Sequence, residues 1–159
     1  MILIALGSNL TGPWGTPRQA ILKAVTAMEH EGIHVRRLST LIETAPYGNP
    51  NQPHYVNGAA RVETHKTPDA LMRCLHMIEH RAGRRRGRRW GARTLDLDLI
   101  DFHGLVRRKR SLDIKPLVLP HPGVLLRGFV LEPVAEIAPD WRHPVTHQSA
   151  ADVLRLLKD

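Results

Sequence analysis

Cysteine, aromatic residues and long apolar runs are all scarce in this sequence, and each shortage excludes a class of protein. The single cysteine, Cys74, cannot form an internal disulfide, which is typical of a reducing compartment. No apolar run approaches the roughly 18 residues that a membrane-spanning helix needs. The opening residues, MILIALGSNL, lack the basic segment and cleavage site of a signal peptide. We therefore expect a cytoplasmic protein with no membrane partner.

Glycine-rich phosphate-binding loops are also missing. Neither the GxxxxGK[ST] loop nor the GxGxxG fingerprint of dinucleotide-binding folds occurs in the chain. The stretch LGSNL at residues 6–10 follows a predicted strand but has no lysine behind it, so we interpret it as a strand-to-helix turn. Any bound nucleotide must then be held by side chains.

Acidic residues are absent from two basic segments. Residues 81–93 contain seven arginines and no acid, and residues 107–110 (RRKR) add four basic residues. The other 12 lysines and arginines are outnumbered by 15 aspartates and glutamates, so these segments account for the formal net charge of +8. Such segments attract polyanionic partners. The candidates are nucleic acid, an anionic membrane and the phosphates of a nucleotide.

The apolar patterning predicts one α+β domain over residues 1–159. Strands are predicted at residues 1–7, 33–44, 55–64 and 94–102. Helices are predicted after Thr16 and Thr67, which can cap them, and at residues 122–137 and 149–158. The order β-α-β-β-α-β is that of a ferredoxin-like sandwich, with an antiparallel sheet, both helices on one face, and additional C-terminal helices.

The strand LDLDLI at residues 95–100 carries two aspartates on one face. Because side chains alternate along a strand, the leucines share the face opposite Asp96 and Asp98. One interpretation is an amphipathic strand with a hydrated face; the other is a carboxylate pair that binds a hard cation. Mg²⁺ prefers a few carboxylates together with substrate phosphates. The arginine-rich segment precedes this strand directly, and a metal beside an arginine clamp is typical of phosphoryl transfer.

The segment 81–93 can itself serve a nucleotide. Its guanidinium groups match phosphate oxygens, its glycines suit a loop that closes over a ligand, and Trp90 can stack on a purine. A solvated basic loop is the alternative. The stretch HMIEH at residues 76–80 matches a zinc-peptidase pattern, but no third ligand is evident, so we interpret Glu79 as a polar helix residue near the phosphate loop.

Two further stretches contain candidate ligand contacts. LPHPGVLLRGF at residues 119–129 brings His121 and Arg127 near each other, and His121 can donate to a phosphate. The proline- and asparagine-rich loop at residues 44–57 contains two of the seven aromatic residues together with an asparagine. That combination suits a flat heterocycle, although a packing role is equally natural.

Several stretches together resemble one family. RWGARTLDLDLI at residues 89–100 is similar to the signature of the 6-hydroxymethyl-7,8-dihydropterin pyrophosphokinases of folate biosynthesis. LGSNL, the loop TAPYGNPNQPHYVN, the stretch from Glu79 to Arg84, and PH…RGF match in the same order, so the resemblance covers nearly the whole chain. The sequence departs from the family pattern at His76, Pro122 and Ala45.

The resemblance implies transfer of pyrophosphate from ATP to the hydroxymethyl group of the pterin, which yields AMP. It implies two Mg²⁺ ions on Asp96 and Asp98, with catalytic roles for these residues and for Arg84 and Arg93. The implied ATP contacts are His76, Glu79, Arg84, Arg86, Arg89, Trp90, Arg93, Leu99, His121 and Arg127. The implied pterin contacts are Thr44, Pro46, Tyr47, Tyr55, Asn57, Asp96 and Phe129, with Tyr55 and Phe129 sandwiching the ring and Asn57 reading its edge.

A basic nucleic-acid-binding module is the alternative from another class. It would use the arginine segments on phosphate backbones. Aromatic residues make up only 4% of the chain, and the aspartate pair in the same region would repel a backbone. We therefore expect a monomeric enzyme whose partners are ATP and the pterin rather than nucleic acid.

Overall fold

The computed structural model describes residues 1–44, 54–84, 93–109 and 117–158. Its elements in chain order are β1 (Ile2–Ser8), α1 (Pro17–His30), β2 (His34–Leu38), β3 (Ile42–Thr44), β4 (Tyr55–Glu63), α2 (Pro68–Arg81), β5 (Asp96–Phe102), a 3-10 turn (Val124–Leu126), α3 (Gly128–Ile137) and α4 (Ala150–Lys158). None of the helices in these residues is long and apolar enough to cross a membrane.

The strands form one antiparallel sheet in the order β2-β4-β1-β5, with β3 also paired to β4. This order confirms the ferredoxin-like prediction. The single strand predicted at residues 33–44 is wrong, because β2 and β3 are separate segments along the same edge of β4. Between them the buried Ser39 accepts the Ala59 N–H through its hydroxyl and donates its own N–H to the Ala59 carbonyl. The backbone N–H and carbonyl of Ala59 are therefore both hydrogen-bonded at the break between β2 and β3.

Side-chain caps begin the two helices that pack on one face of the sheet. Thr16 accepts the N–H of Gln19, whose side chain accepts the Thr16 N–H in return, and Pro17 occupies the first turn. Thr67 accepts the N–H of Ala70 in the same way. Ile21, Leu75 and other apolar residues of α1 and α2 then pack on one face of the sheet. The predicted caps are confirmed.

The opposite face of the sheet is covered as well. Leu3, Ala5 and Ile100 pack under α3 and α4 in a second core. A β-bulge in the β1–β5 pairing brings Asp101 to this core, where its carboxylate accepts the Trp141 indole N–H at 2.6 Å. The second core therefore covers most of the face of β5 that carries the aspartates. Only one end of this face is accessible to solvent.

Candidate active site

Asp96 and Asp98 lie at the open end of that second face. Leu97 and Leu99 on the opposite face are buried in the core under α1 and α2, which confirms the predicted alternation. In the sheet register Asp96 lies opposite Gly7 of β1, and Gly7 in turn lies opposite Asn57 of β4. The aspartate side chains remain about a quarter exposed, so a ligand can reach them.

Two arginines bind the carboxylate of Asp96. Arg84, just beyond α2, donates through Nη1 to Oδ1 at 2.9 Å, and Arg93 donates through Nη1 to Oδ2 at 3.1 Å. Both guanidinium groups remain partly exposed, so they can also face a ligand. The structure thus brings together three of the residues that the sequence predicts as catalytic.

The position of Arg93 depends on the end of β1. Its N–H donates to Oδ1 of Asn9 at 2.6 Å, and its carbonyl accepts the Asn9 N–H at 3.0 Å. Ser8 donates its hydroxyl to the Thr94 carbonyl at 2.7 Å. Ser8 and Asn9 are buried. The interpretation of LGSNL as a mere turn missed this role, and only the polar side chains directly after an apolar strand could have indicated it.

Glu79 of α2 is a buried carboxylate rather than an ordinary polar helix residue. It is 4% exposed, and Oε2 accepts the Leu97 N–H at 2.8 Å and contacts the Arg84 guanidinium. Burial raises the pKa of Glu79 from 4.5 to about 7, and the nearby Asp96 and Asp98 act in the same direction. The Leu97 N–H and Arg84 oppose that pKa shift. Glu79 joins α2 to β5 beside the aspartates.

Asp98 lies near Arg127 and His121. Arg127 Nη1 lies 3.9 Å from its Oδ2. Burial and the charge of Asp96 raise the pKa of Asp98, while His121 and Arg127 oppose this shift. Burial lowers the pKa of His121, and its Nδ1 accepts the Gly123 N–H at 3.1 Å, so its proton resides on Nε2. His121 is thus arranged to donate a hydrogen bond from Nε2.

The predicted pterin contacts that the structure describes lie on the same face of the sheet. Thr44 of β3 pairs with Tyr55 of β4, and Asn57 follows two residues later on that face. Tyr55 is 42% exposed, and Phe129 at the start of α3 is 48% exposed. Aromatic side chains this exposed can take up a ligand without repacking a core.

The remaining site residues of the prediction fall in two groups. His76 lies exposed on α2, and the Leu99 side chain is buried on the opposite face, so any ATP contact of Leu99 involves its backbone. Five predicted contacts lie outside the described residues: Pro46, Tyr47, Arg86, Arg89 and Trp90.

The aspartate pair fits a Mg²⁺ ion that arrives with a phosphate ligand. Within the described ranges no group of three or more histidine, cysteine or acidic side chains could hold a metal ion by itself. Mg²⁺ does not require one, because it commonly takes one or two carboxylates, waters and substrate phosphate oxygens. Burial, and then the charge of Asp96, raises the pKa of Asp98, and a divalent cation would favour the ionised form of both carboxylates.

Comparisons with known proteins agree on one family. The model of the 7,8-dihydro-6-hydroxymethylpterin-pyrophosphokinase (HPPK) family matches residues 3–139. A 2-amino-4-hydroxy-6-hydroxymethyldihydropteridine pyrophosphokinase of Synechocystis is 38% identical over 156 residues, which is 98% of this chain and 74% of that protein. The Pseudomonas aeruginosa protein of the same name is 40% identical over 144 residues, 90% of this chain and 83% of that protein.

A solved structure supports the fold. The Plasmodium falciparum HPPK-DHPS triple mutant with STZ-DHP matches with a TM-score of 0.72 at 12% sequence identity. The match covers 98% of this chain and 42% of the longer Plasmodium chain. At this identity the similarity concerns the fold alone.

Proposed function

The chain belongs to the 7,8-dihydro-6-hydroxymethylpterin-pyrophosphokinase family, an ATP-dependent family of folate biosynthesis, and we propose how its own residues carry out the transfer. The pterin hydroxymethyl oxygen attacks the β-phosphorus of ATP, and the bond from that phosphorus to the α–β bridging oxygen breaks. AMP leaves with the electron pair, and the hydroxyl proton passes to solvent water. The products are AMP and the pterin pyrophosphate. The cytoplasmic location expected from the single cysteine is part of this proposal.

The observation that carries the proposal is the convergence of cations on the aspartate pair. Arg84 and Arg93 contact Asp96, and Arg127 approaches Asp98 from the other side. A triphosphate that binds over β5 would meet positive charge on both sides. Phosphoryl transfer needs positioning and charge neutralisation more than covalent help from the protein, and this arrangement provides both.

Asp96 and Asp98 are the proposed ligands of two Mg²⁺ ions. When bound, these ions neutralise phosphate charge and lower the pKa of the attacking hydroxyl. The protein's part is to hold the two carboxylates on one strand face, which the β1–β5 pairing does. Glu79 supports the same strand through the Leu97 N–H.

The arginines and His121 are proposed to bind the nucleotide. Arg84 and Arg93 would bind the phosphates that become pyrophosphate, because they lie next to Asp96. His121 would donate Nε2–H to a phosphate oxygen, since its Nδ1 already accepts a backbone N–H. The Gly123 N–H holds His121 in this orientation before reaction, so its part in stabilising the developing charge requires little reorganisation.

Tyr55, Asn57 and Phe129 are proposed to bind the pterin. The two exposed rings would stack on the heterocycle, while the Asn57 carboxamide can both donate to and accept from its edge. Thr44 lies beside Tyr55 across the β3–β4 pair. Asp96, opposite Gly7 in the same row of the sheet as Asn57, would bring the metal to the hydroxymethyl end.

The identity of the nucleotide product tests this function. The purified chain is incubated with ATP, Mg²⁺ and 6-hydroxymethyl-7,8-dihydropterin, and nucleotides are separated by chromatography. AMP that appears only when the pterin is present supports pyrophosphoryl transfer. ADP in place of AMP would indicate ordinary phosphoryl transfer and would overturn the proposal.

A further inference from the structure

Gly7 lies in the interior of β1, between the proposed pterin contact Asn57 and the proposed metal ligand Asp96. Its backbone is not in the positive-φ region, unlike four other glycines of the described chain. A residue with a side chain could therefore adopt this conformation. Glycine in a strand interior weakens the strand, so its presence needs another explanation, and a close approach of other atoms is the usual one.

The close approach comes from the Asn57 side chain. A Cβ atom added to Gly7 would lie 2.9 Å from Oδ1 of Asn57, well inside van der Waals contact. The next nearest atom in a neighbouring strand is the Val56 carbonyl oxygen at 3.8 Å, which is an ordinary contact. A side chain at position 7 would thus clash with one atom, the carboxamide oxygen of Asn57.

The surroundings show why this oxygen matters. Ala5 and Ala59 continue the same face of β1 and β4, and both are buried under the C-terminal helices. Gly7 and Asn57 lie beyond that cover and are half-buried. The Asn57 carboxamide therefore lies beside the Gly7 backbone, where the sheet becomes accessible to a ligand. Asn57, Gly7 and Asp96 are neighbours across the three strands.

We propose that Gly7 is a positioning residue for the pterin: its missing side chain allows the Asn57 carboxamide to lie across β1 in the orientation that reads the edge of the heterocycle. This inference rests on the proposed role of Asn57. Any side chain at position 7 displaces that carboxamide and fills part of the floor between the pterin and Asp96. Gly7 acts through Asn57 and is not itself a catalytic residue.

A double-mutant cycle tests the inference. The affinity for the fluorescent analogue 6-hydroxymethylpterin is measured, with Mg²⁺ and a non-hydrolysable ATP analogue present, in four proteins: wild type, Gly7→Ala, Asn57→Ala and the double variant. We expect Gly7→Ala to weaken binding about tenfold in the wild-type background, comparable to losing one hydrogen bond. In the Asn57→Ala background the same change should cost less than about twofold, because the displaced group is gone.

Nucleotide affinity and thermal unfolding separate this role from a general structural one. Affinity for the ATP analogue should stay within about twofold of wild type in all four proteins. If Gly7→Ala does not fold, the double variant should fold, because the oxygen that clashes has been removed. A double variant that also fails to fold would overturn the inference.

The outcomes also distinguish the inference from the function on which it rests. If Asn57→Ala leaves pterin affinity unchanged, the proposed pterin role of Asn57 fails, and this inference fails with it. If Asn57→Ala weakens binding and Gly7→Ala does not, only the inference about Gly7 is overturned. An equal loss from Gly7→Ala in both backgrounds would likewise overturn it, since Gly7 would then act independently of Asn57.

Discussion

Arg84 and Asp96 form an ion pair at 2.9 Å that links the segment just after α2 to the start of β5. Glu79 contacts the same guanidinium from within α2 and accepts the Leu97 N–H of the same strand. One arginine is therefore shared between a buried carboxylate and a proposed metal ligand. The helix and the strand hold each other in the relative position that the site needs.

Neutralising either aspartate tests the metal assignment. Asp96→Asn or Asp98→Asn should abolish turnover while leaving the fold intact, because an amide is nearly isosteric but binds Mg²⁺ poorly. Steady-state kinetics over a Mg²⁺ titration and far-UV circular dichroism measure the two effects. Asp140→Asn, at an exposed position outside the site, is the matched control. Near-normal Mg²⁺-dependent activity in Asp96→Asn would contradict the assignment.

Removing Arg93 tests its proposed contact with the transferred phosphates. Arg93→Ala should lower kcat by about 10²–10³, comparable to the loss of one preorganised donor. Arg36→Ala is the control. It removes an exposed arginine that pairs with Glu63 outside the proposed site, and it should leave kcat unchanged. If Arg93→Ala raises only the KM for ATP, the arginine binds substrate and transition state equally, and its catalytic assignment is wrong.

The same arginine should have the opposite effect on metal binding without nucleotide. Arg93 occupies one carboxylate oxygen of Asp96, so a divalent cation must compete with it. Arg93→Met should therefore raise the affinity for Mn²⁺ alone roughly threefold to fivefold, the scale of a half-exposed ion pair. Electron paramagnetic resonance of free Mn²⁺ measures this affinity. Weaker Mn²⁺ binding in the variant would show that Arg93 supports the metal site rather than competing for it.

Glu79 makes the stability depend on pH with a definite sign. Its pKa is about 7 in the folded protein against an ordinary value of 4.5, so between these pH values the folded state binds more protons than the unfolded state. This group therefore lowers the free energy of unfolding as pH rises through that window. Glu79→Gln should remove this contribution, which is on the order of 3 kcal/mol.

Urea unfolding at pH 4.5 and pH 7.5 checks the Glu79 prediction. The difference between wild type and Glu79→Gln isolates this group, because the other buried groups with shifted pKa values contribute in both proteins. Asp98, whose pKa burial raises, acts with the same sign, and His121 and His143, whose pKa values burial lowers, act with the opposite sign. The free energy of unfolding of Glu79→Gln minus that of wild type should be larger at pH 7.5 than at pH 4.5. An equal difference at the two pH values would contradict the raised pKa.

Local pattern was enough to predict β5 and its surroundings. Alternation placed Asp96 and Asp98 on one face, and proximity in the chain connected this strand to the arginine-rich segment 81–93. The resemblance then singled out Arg84 and Arg93, and both contact Asp96. Capping residues predicted where α1 and α2 begin. These features depend on residues that are close in sequence, so single-sequence reasoning can reach them.

Features that depend on long-range contacts could not be predicted in this way. At the break between β2 and β3, Ser39 accepts the N–H of Ala59, twenty residues away. Burial of Glu79 depends on the packing of α2 against β5, and no local pattern distinguishes it from a solvated helix glutamate. Pairing between Asn9 and Arg93 joins positions 84 residues apart. In each case the polar group and its partner lie far apart in the sequence, so only the folded structure shows that they meet.

The most direct test of the central claim follows the label from [γ-³²P]ATP in a single turnover, with enzyme in excess over the pterin. Wild-type enzyme should transfer the label to the pterin product and release AMP in equal amount, while Asp96→Asn, still folded and still binding ATP, should do neither at a measurable rate. Label on the pterin at the wild-type rate in Asp96→Asn would contradict the account. Label released as inorganic phosphate by the wild type, with no labelled pterin, would contradict it as well.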